Sequence, residues 1–507
     1  MRVFTLRSEF DVPLNCLFQW HLRNGAFERL NPPWHPLYII FKKGSIDNEG
    51  IVIVKMPIIK NFGFKWKIKH KDYIQNKSFK DVQIKGLFSY WEHQHIFSIT
   101  SSSSSSSSSS FSSSSDKINK SILEDIVKFG IPLGIIGNII SPIVFNNLAS
   151  IFKYRHRITK IDNNTHLRFK NPKINSILIS GSSGFIGSAL IPFLTTGGYD
   201  VTRLLRNKSP LDYDIAKRIY LNKEGNFNNN NNIINYTNNK DNNNVSKSDS
   251  IDTNSNFDAI VNLNGENIFG LWTNKKKQRI FNSRVKFTES LCKNLVKMNS
   301  PPKVLISASA IGIYGNDHYK IYDDIDGNNR SNNNKDFLSS LCSQWEEATD
   351  IAKSAGIRVI NLRTGIVLGA SGGIINRLRN ANKFQINIKM ESDTWLSWIA
   401  LDDLLRLILF CICNNNINGP VNAVSPNFVK LEEFTKTLAR IWNTKMNFKL
   451  PKEIVQKILG EMSKFTIFAD NKIIPRKLIL NDFDFIFEDL ELALRHTLGK
   501  LNNLHLQ

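Results

Sequence analysis

The chain has 507 residues, 41% of them hydrophobic and 10% aromatic, enough to bury the cores of about two to four domains. Its formal charge of +22 comes from lysines spread over the whole length beside abundant asparagine. The charge therefore reads as compositional bias, and nucleic acid is not an expected partner. No apolar run reaches the roughly 20 residues of a membrane span; the nearest, "FGIPLGIIGNIISPIVF" at Phe129–Phe145, is broken by proline and glycine and reads as a buried strand and loop. The first residues carry acids by residue 9 and no apolar core, so a secretory signal is not expected. Cys16, Cys292, Cys342, Cys411 and Cys413 are odd in number and lack CxxC spacing. That pattern favours a reducing compartment over a disulfide frame or a zinc site. The cytoplasm is the expected location, with an organelle address left open.

Residues 1–165 show alternating strand patterns in series, from "RVFTLRSEF" through "FKWKIKHKDY" to "YWEHQHIFSI". One helical stretch follows the first strand and one closes the block. A curved antiparallel sheet gripping a helix is predicted, an α+β domain. In "KWKIKHK" the alternation sets Trp66, Ile68 and His70 on one face and four lysines on the other. His93 and His95 share a strand face with Trp91; no third ligand at metal spacing is evident in the sequence, so they read as polar residues facing the sheet and no metal is expected. Ser101–Ser115, serine except for Phe111, and the asparagine-rich segments at 226–256 and 327–335 read as loop expansions inside domains.

Residues 175–385 change to strand, turn and helix in alternation, with near-continuous apolar strands such as "ILIS", "AIVNLN" and "KVLISAS". This is the pattern of a doubly wound parallel α/β sheet. "SILISGSSGFIGSAL" sets Gly181, Gly184 and Gly187 between a strand and a helix, the context in which such a turn cradles a dinucleotide pyrophosphate. Gly181, Ser182, Ser183, Gly184, Phe185, Ile186 and Gly187 are the candidate cofactor loop, with Asn264 and Ser307 added as further cofactor contacts. The next strand ends in Arg206 and Lys208, with no carboxylate where an NAD reader would place one. This favours NADP(H), unless Arg206 is only a solvated strand end. Residues 386–507 turn helical and form a smaller C-terminal lobe.

Several stretches together resemble a known family. "ILISGSSGFIGSAL", "DAIVNLNGENI", "WTNKKKQRIFNSR", "KVLISASAIGIYG", "LRTGIVLG" and "TWLSWIALDDLLRLIL" are similar, in order, to the epimerase-like branch of extended short-chain dehydrogenase/reductases, family 39U. "KIIPRKLILNDFDFIFEDLELAL" resembles that branch's C-terminal extension. "FDVPLNCLFQWHLRNGAFERLNPPW" looks like the helix-grip ligand-binding domain that precedes the reductase domain in some members.

The resemblance implies a Rossmann fold, a bound NAD(P) and a serine at position 309 that polarises a reacting oxygen. The wider superfamily's Tyr-x-x-x-Lys pair is absent: Cys342 and Glu346 stand in its places. Tyr314 is a substitute acid or a packed tyrosine. Arg284 contacts phosphate or forms an ion pair, and Trp395 and Trp398 wall a substrate pocket or belong to the core. The family's histidine is replaced by Ala400. The expected function is an NADP(H)-dependent oxidoreductase or epimerase-like enzyme acting on an unidentified small molecule, with an apolar ligand in the N-terminal domain. The alternative is an NADP(H)-binding sensor or scaffold with little or no turnover, linked to division, as the resemblance to some members implies, or to organelle processes.

Overall fold

The computed structural model describes residues 1–35, 37–59, 62–100, 120–132, 134–206, 215–220, 256–325, 336–382, 386–444 and 446–501. The serine-rich segment, the expansion at 327–335, Lys208 and nearly all of 226–256 lie outside the described residues.

The N-terminal block builds a seven-stranded antiparallel sheet from β1 (Arg2–Phe10), β2 (Tyr38–Lys43), β3 (Ile51–Ile59), β4 (Phe62–Ile74), β5 (Ser78–Lys85), β6 (Tyr90–Ile99) and β7 (Ser121–Gly130). Their order is β1-β7-β6-β5-β4-β3-β2. Helices α1 (Leu14–Leu22) and α2 (Ala26–Leu30) follow the first strand, and α3 (Gly134–Arg168) follows the last. The sequence reading passed over β7, which pairs with both β1 and β6. It also took Phe129–Phe145 for a strand and loop, whereas most of that segment opens α3, with Pro142 inside the helix. Trp66 and Ile68 are buried as the alternation of their strand predicts, packed with Val54, Trp91, Phe129 and Phe152. At the insert, the Thr100 amide donates to the Lys120 carbonyl at 3.0 Å, so the chain leaves and re-enters the sheet on adjoining rungs.

The second sheet is parallel throughout. It contains β8 (Ser176–Ser180), β9 (Asp200–Leu205), β10 (Lys217–Tyr220), β11 (Ala259–Asn262), β12 (Val304–Ala310) and the strands Arg358–Thr364 and Gly419–Ala423. The spatial order is β10-β9-β8-β11-β12, then Arg358–Thr364 and Gly419–Ala423. β8 and β11, neighbours in space, are separated in sequence by β9 and β10, which marks the crevice where doubly wound sheets bind ligands. α4 (Phe185–Thr196) leaves the carboxyl end of β8.

The expected boundary at residue 385 needs correction. Helix Leu401–Cys413 packs in the core beneath the sheet, and Gly419–Ala423 is the sheet's last strand. The chain therefore returns to the Rossmann layer before its C-terminal segments cover that edge. No helix among the described residues is long and apolar enough to cross a membrane.

The blocks are joined by buried charge. Arg29 on α2 donates from Nε and Nη2 to both oxygens of Asp162 on α3 at 2.8 Å, and from Nη2 to Asp402 at 2.6 Å. His496, from the C-terminal helix Leu490–Thr497, is 2.8 Å from the other Asp402 oxygen. All four side chains are buried. Burial pushes Asp162 up to about 6 against the pull of Arg29. Burial acts the same way on Asp402, but Arg29 and His496 overcome it and hold this carboxyl below its usual range. Arg29→Ala strands two carboxylates without their cation, so urea unfolding is expected to show a loss of about 3–5 kcal/mol.

Candidate functional site

The glycine turn is shaped by steric exclusion. Gly181 has φ +68°, and a Cβ there would lie 2.4 Å from the Leu263 carbonyl oxygen at the end of β11. At Gly187 a Cβ would lie 2.5 Å from the Gly181 oxygen, so any side chain would push helix α4 off the turn. The Gly184 amide donates to the Gly181 carbonyl at 3.0 Å and closes the loop. Ser183 and Gly184 are exposed, Phe185 and Ile186 are half-buried, and Ser182 is buried with its Oγ accepting from Arg203 Nε at 3.3 Å. The Phe185 ring fills the space over a second glycine loop, where a Cβ on Gly372 would fall 2.4 Å from it. These residues fit a dinucleotide pyrophosphate: two glycines keep the turn bare, and it opens onto the N-terminus of a 12-residue helix, where amide groups and the helix dipole favour anions.

Arg206 is exposed immediately after β9. Arg203, on the same strand, is the group the sequence reading missed, since its tie to Ser182 depends on strand adjacency. Asn264 is buried, its Nδ2 donating to the Ser283 carbonyl at 3.0 Å. Ser307 needs correction as a cofactor contact. It has no exposed surface, and it sits in a polar knot with Asn262, which also accepts from Ser180 Oγ at 2.6 Å and donates to Thr288 at 2.9 Å. It braces the strands behind the turn. Arg284 Nη1 donates to the Glu266 carbonyl at 3.0 Å, and the guanidinium stacks on Trp345.

The candidate catalytic residues meet in one buried network. Ser309, on β12, donates to Glu346 Oε1 at 2.8 Å. Arg363 grips both oxygens of Glu346, each at 2.8 Å, and donates from Nη1 to the Tyr314 hydroxyl at 2.9 Å. The Tyr314 hydroxyl donates to Asn422 Oδ1 at 2.7 Å and lies 3.1 Å from the Asp323 carbonyl. The residue in the lysine position is thus an acid, and an arginine from the next strand neutralises it. Burial pushes the Tyr314 phenol up to about 12, although Arg363 pulls the other way. Burial also takes the Cys342 thiol to about 12, helped by Glu346. Both groups keep their protons near neutral pH. Asp324, unremarked in the sequence, is buried and accepts from the amides of Asn422 and Lys477 at 2.7 and 2.9 Å. It ties the network's last strand to the C-terminal segment. Trp398 is core, with no exposed surface, whereas Trp395 is half-buried against Phe428 with Lys430 over its ring.

The family model described as NAD dependent epimerase/dehydratase family matches residues 177–423, and a domain of unknown function, DUF1731, matches residues 450–497. Epimerase family protein YfhF of Bacillus subtilis is 30% identical over 319 residues, covering 63% of this chain and 96% of its own length. The chain belongs to the NAD-dependent epimerase/dehydratase family. Epimerase family protein ML0860 of Mycobacterium leprae is 32% identical over 312 residues, 61% of this chain and 91% of that one. Among solved structures, a nucleoside-diphosphate sugar epimerase from Corynebacterium glutamicum aligns over 98% of this chain and 90% of its own, with TM-score 0.69 and 24% identity. Human epimerase family protein SDR39U1, isoform 2, crystallised with NADPH, aligns over 64% of this chain and all of its own, with TM-score 0.54 and 24% identity. At that identity both speak for the fold. As a member of this family the chain is an NAD(P)-binding protein, and the C-terminal extension foreseen from "KIIPRKLILNDFDFIFEDLELAL" falls within the DUF1731 match.

In this epimerase-family turn, Gly181→Ala forces a left-handed alanine against a backbone carbonyl. The thermal midpoint is expected to fall with a loss of about 1–3 kcal/mol, measured by calorimetry.

Proposed function

We propose that the protein binds NADP(H) in the glycine cradle and acts as an epimerase-like oxidoreductase on a small molecule held between the carboxyl edge of the parallel sheet and the C-terminal lobe. The observation that carries the cofactor choice is Arg206. It is exposed at the end of the strand beside the turn, where a dinucleotide's adenosine ribose lies in such sheets. The acid of that strand, Asp200, sits at its other end and is held by Lys217 at 2.5 Å. A guanidinium suits a 2′-phosphate, to which it can donate two parallel hydrogen bonds. The NADPH of the human relative agrees with this reading. Bound cofactor would supply the hydride chemistry. Gly181, Gly184 and Gly187 would admit its pyrophosphate, and Ser309 would orient an oxygen of the substrate.

A second reading draws on the Ser309–Glu346–Arg363–Tyr314 network. With the acid paired and the phenol fully hydrogen-bonded, the site holds its protons tightly. This favours an NADP(H)-responsive sensor with slow or no turnover.

We read the N-terminal sheet with α3 as a helix-grip domain for a largely apolar ligand. A cavity of about 160 Å³, walled by Phe27, Val52, Trp66, Ile68 and Trp91, supports this. The five cysteines, all unpaired, suit a cytoplasmic location.

Fluorescence titration is expected to show tighter binding of NADPH than of NADH. Arg206→Asp is expected to weaken NADPH binding about 10- to 100-fold, the worth of one or two charged hydrogen bonds, and to spare NADH. An unchanged preference removes Arg206 from the site. Across a panel of carbonyl substrates with NADPH, turnover that Ser309→Ala abolishes supports the enzyme; tight NADPH binding with no turnover supports the sensor.

A further inference from the structure

The cavity of the N-terminal sheet has a polar floor that dinucleotide binding does not use. Three strands contribute to it in one register row: His70 on β4 lies opposite Asp81 on β5, which lies opposite His93 on β6. One step along, His95 on β6 faces Asp125 on β7. His70, Asp81, His93 and His95 all line the cavity, and the two β6 histidines are buried.

The ring nitrogens are sorted by partner. Toward Asp81 Oδ2 point His95 Nε2, at 3.6 Å, and His93 Nδ1, at 3.8 Å. Toward Asp125 Oδ1 point the opposite nitrogens, His93 Nε2 at 3.1 Å and His95 Nδ1 at 2.7 Å, the latter off the line of a hydrogen bond. The remaining carboxylate oxygens are also engaged: Asp81 Oδ1 is 2.6 Å from His70 Nδ1, and Asp125 Oδ2 is 2.8 Å from His156 Nε2, whose other nitrogen reaches Ser8.

We infer that Asp81, His93 and His95 form a binding site for a divalent transition-metal ion, with Asp125 as the carboxylate that orients both histidines. The donor atoms of the three residues all lie within 4.8 Å of one another. An ion bonded at about 2.1 Å to each in tetrahedral geometry spaces them about 3.4 Å apart, so the two histidine nitrogens at 3.6 and 3.8 Å from Asp81 Oδ2 need approach it by only a few tenths of an ångström. Two imidazoles and one carboxylate suit Zn²⁺ or a similar borderline ion over Ca²⁺ or Mg²⁺, which prefer oxygen. The pattern in which each metal-bound histidine gives its second nitrogen to a carboxylate is what such sites use to fix ring orientation. Arg155 is a cation near the two carboxylates, Asp81 and Asp125. Its Nε is buried without a hydrogen-bond partner among the described residues, and it lines the same cavity. Three protein ligands leave a coordination position open to the cavity, available to water or to an anionic oxygen donor that Arg155 can also meet.

The test uses the full chain with its affinity tag removed, stripped with a chelator and titrated with Co²⁺, read by visible absorption and by elemental analysis. One Co²⁺ per chain, displaced by Zn²⁺, is expected. Asp81→Asn and His93→Gln are expected to abolish stoichiometric binding with the circular dichroism and melting transition retained. Asp125→Asn, a positioning residue, is expected to weaken binding about 10- to 100-fold. X-ray absorption of the Zn²⁺-loaded wild type should show two imidazoles in the ion's shell, a readout that stands even where a variant fails to fold. The proposal is overturned if the wild type takes up no stoichiometric metal, if uptake survives both ligand substitutions, or if the shell is all oxygen or contains sulfur. In those cases the cluster is a proton-filled carboxylate–histidine network.

Discussion

Arg29 is the point on which the three parts of the chain converge. It comes from a five-residue helix of the N-terminal block, and its partners lie on the long helix α3 and at the head of a Rossmann helix. His496 closes the cluster from the C-terminal helix. Charges this deeply buried are costly unless their geometry is complete, so the cluster constrains how the parts can sit. Helix α3 enforces the same constraint mechanically. Its 35 residues span about 52 Å; Leu148 and Phe152 belong to the N-terminal core, Ile161 to the core of the C-terminal lobe, and Thr165 accepts from Arg406. The segment from 165 to 175 is therefore the tail of a shared helix and a short turn into β8, not a tether between independent domains.

The parts of the site legible in the sequence were those whose physics is local. The turn from Gly181 to Gly187 declares itself because strand, turn and helix follow one another within a dozen residues. The place of Arg206, exposed just past the next strand, follows from counting one strand further. The buried network around Ser309 was legible only as a list. Ser309 and Tyr314 were identified, and the acid at 346 was seen as the wrong sign for a lysine. What neutralises that acid is Arg363, and what closes the phenol is Asn422, 108 residues from Tyr314. Those pairings depend on the parallel order of three strands, and no periodicity in the chain encodes that order. Ser307 was misjudged for the same reason: a serine at the end of a Rossmann strand can face the cofactor or the knot behind it, and the lateral neighbours decide.

The N-terminal sheet shows the same limit in another form. Along the chain, His93 and His95 have no third ligand at metal spacing. In an antiparallel sheet the relevant neighbour lies sideways. Asp81 stands opposite His93 through a turn of only a few residues, while Asp125 comes from β7, beyond the serine tract. That strand was passed over, and with it the carboxylate that organises both rings. Fold class survived this omission because alternation in the other six strands was enough to announce a sheet.

The rung at Thr100 and Lys120 has a consequence for how this gene can change over time. Where the chain exits and returns on neighbouring rungs, the cost of closing the excursion rises only logarithmically with its length. The hydrogen bond that seals the gate belongs to backbone atoms, which any sequence supplies. Replication slippage that lengthens or shortens the serine tract is therefore nearly neutral for the sheet, and the tract can drift in length among closely related copies while β6 and β7 stay in register. The same sheet that holds three histidines and two aspartates to within ångströms tolerates a neighbouring segment of almost arbitrary size.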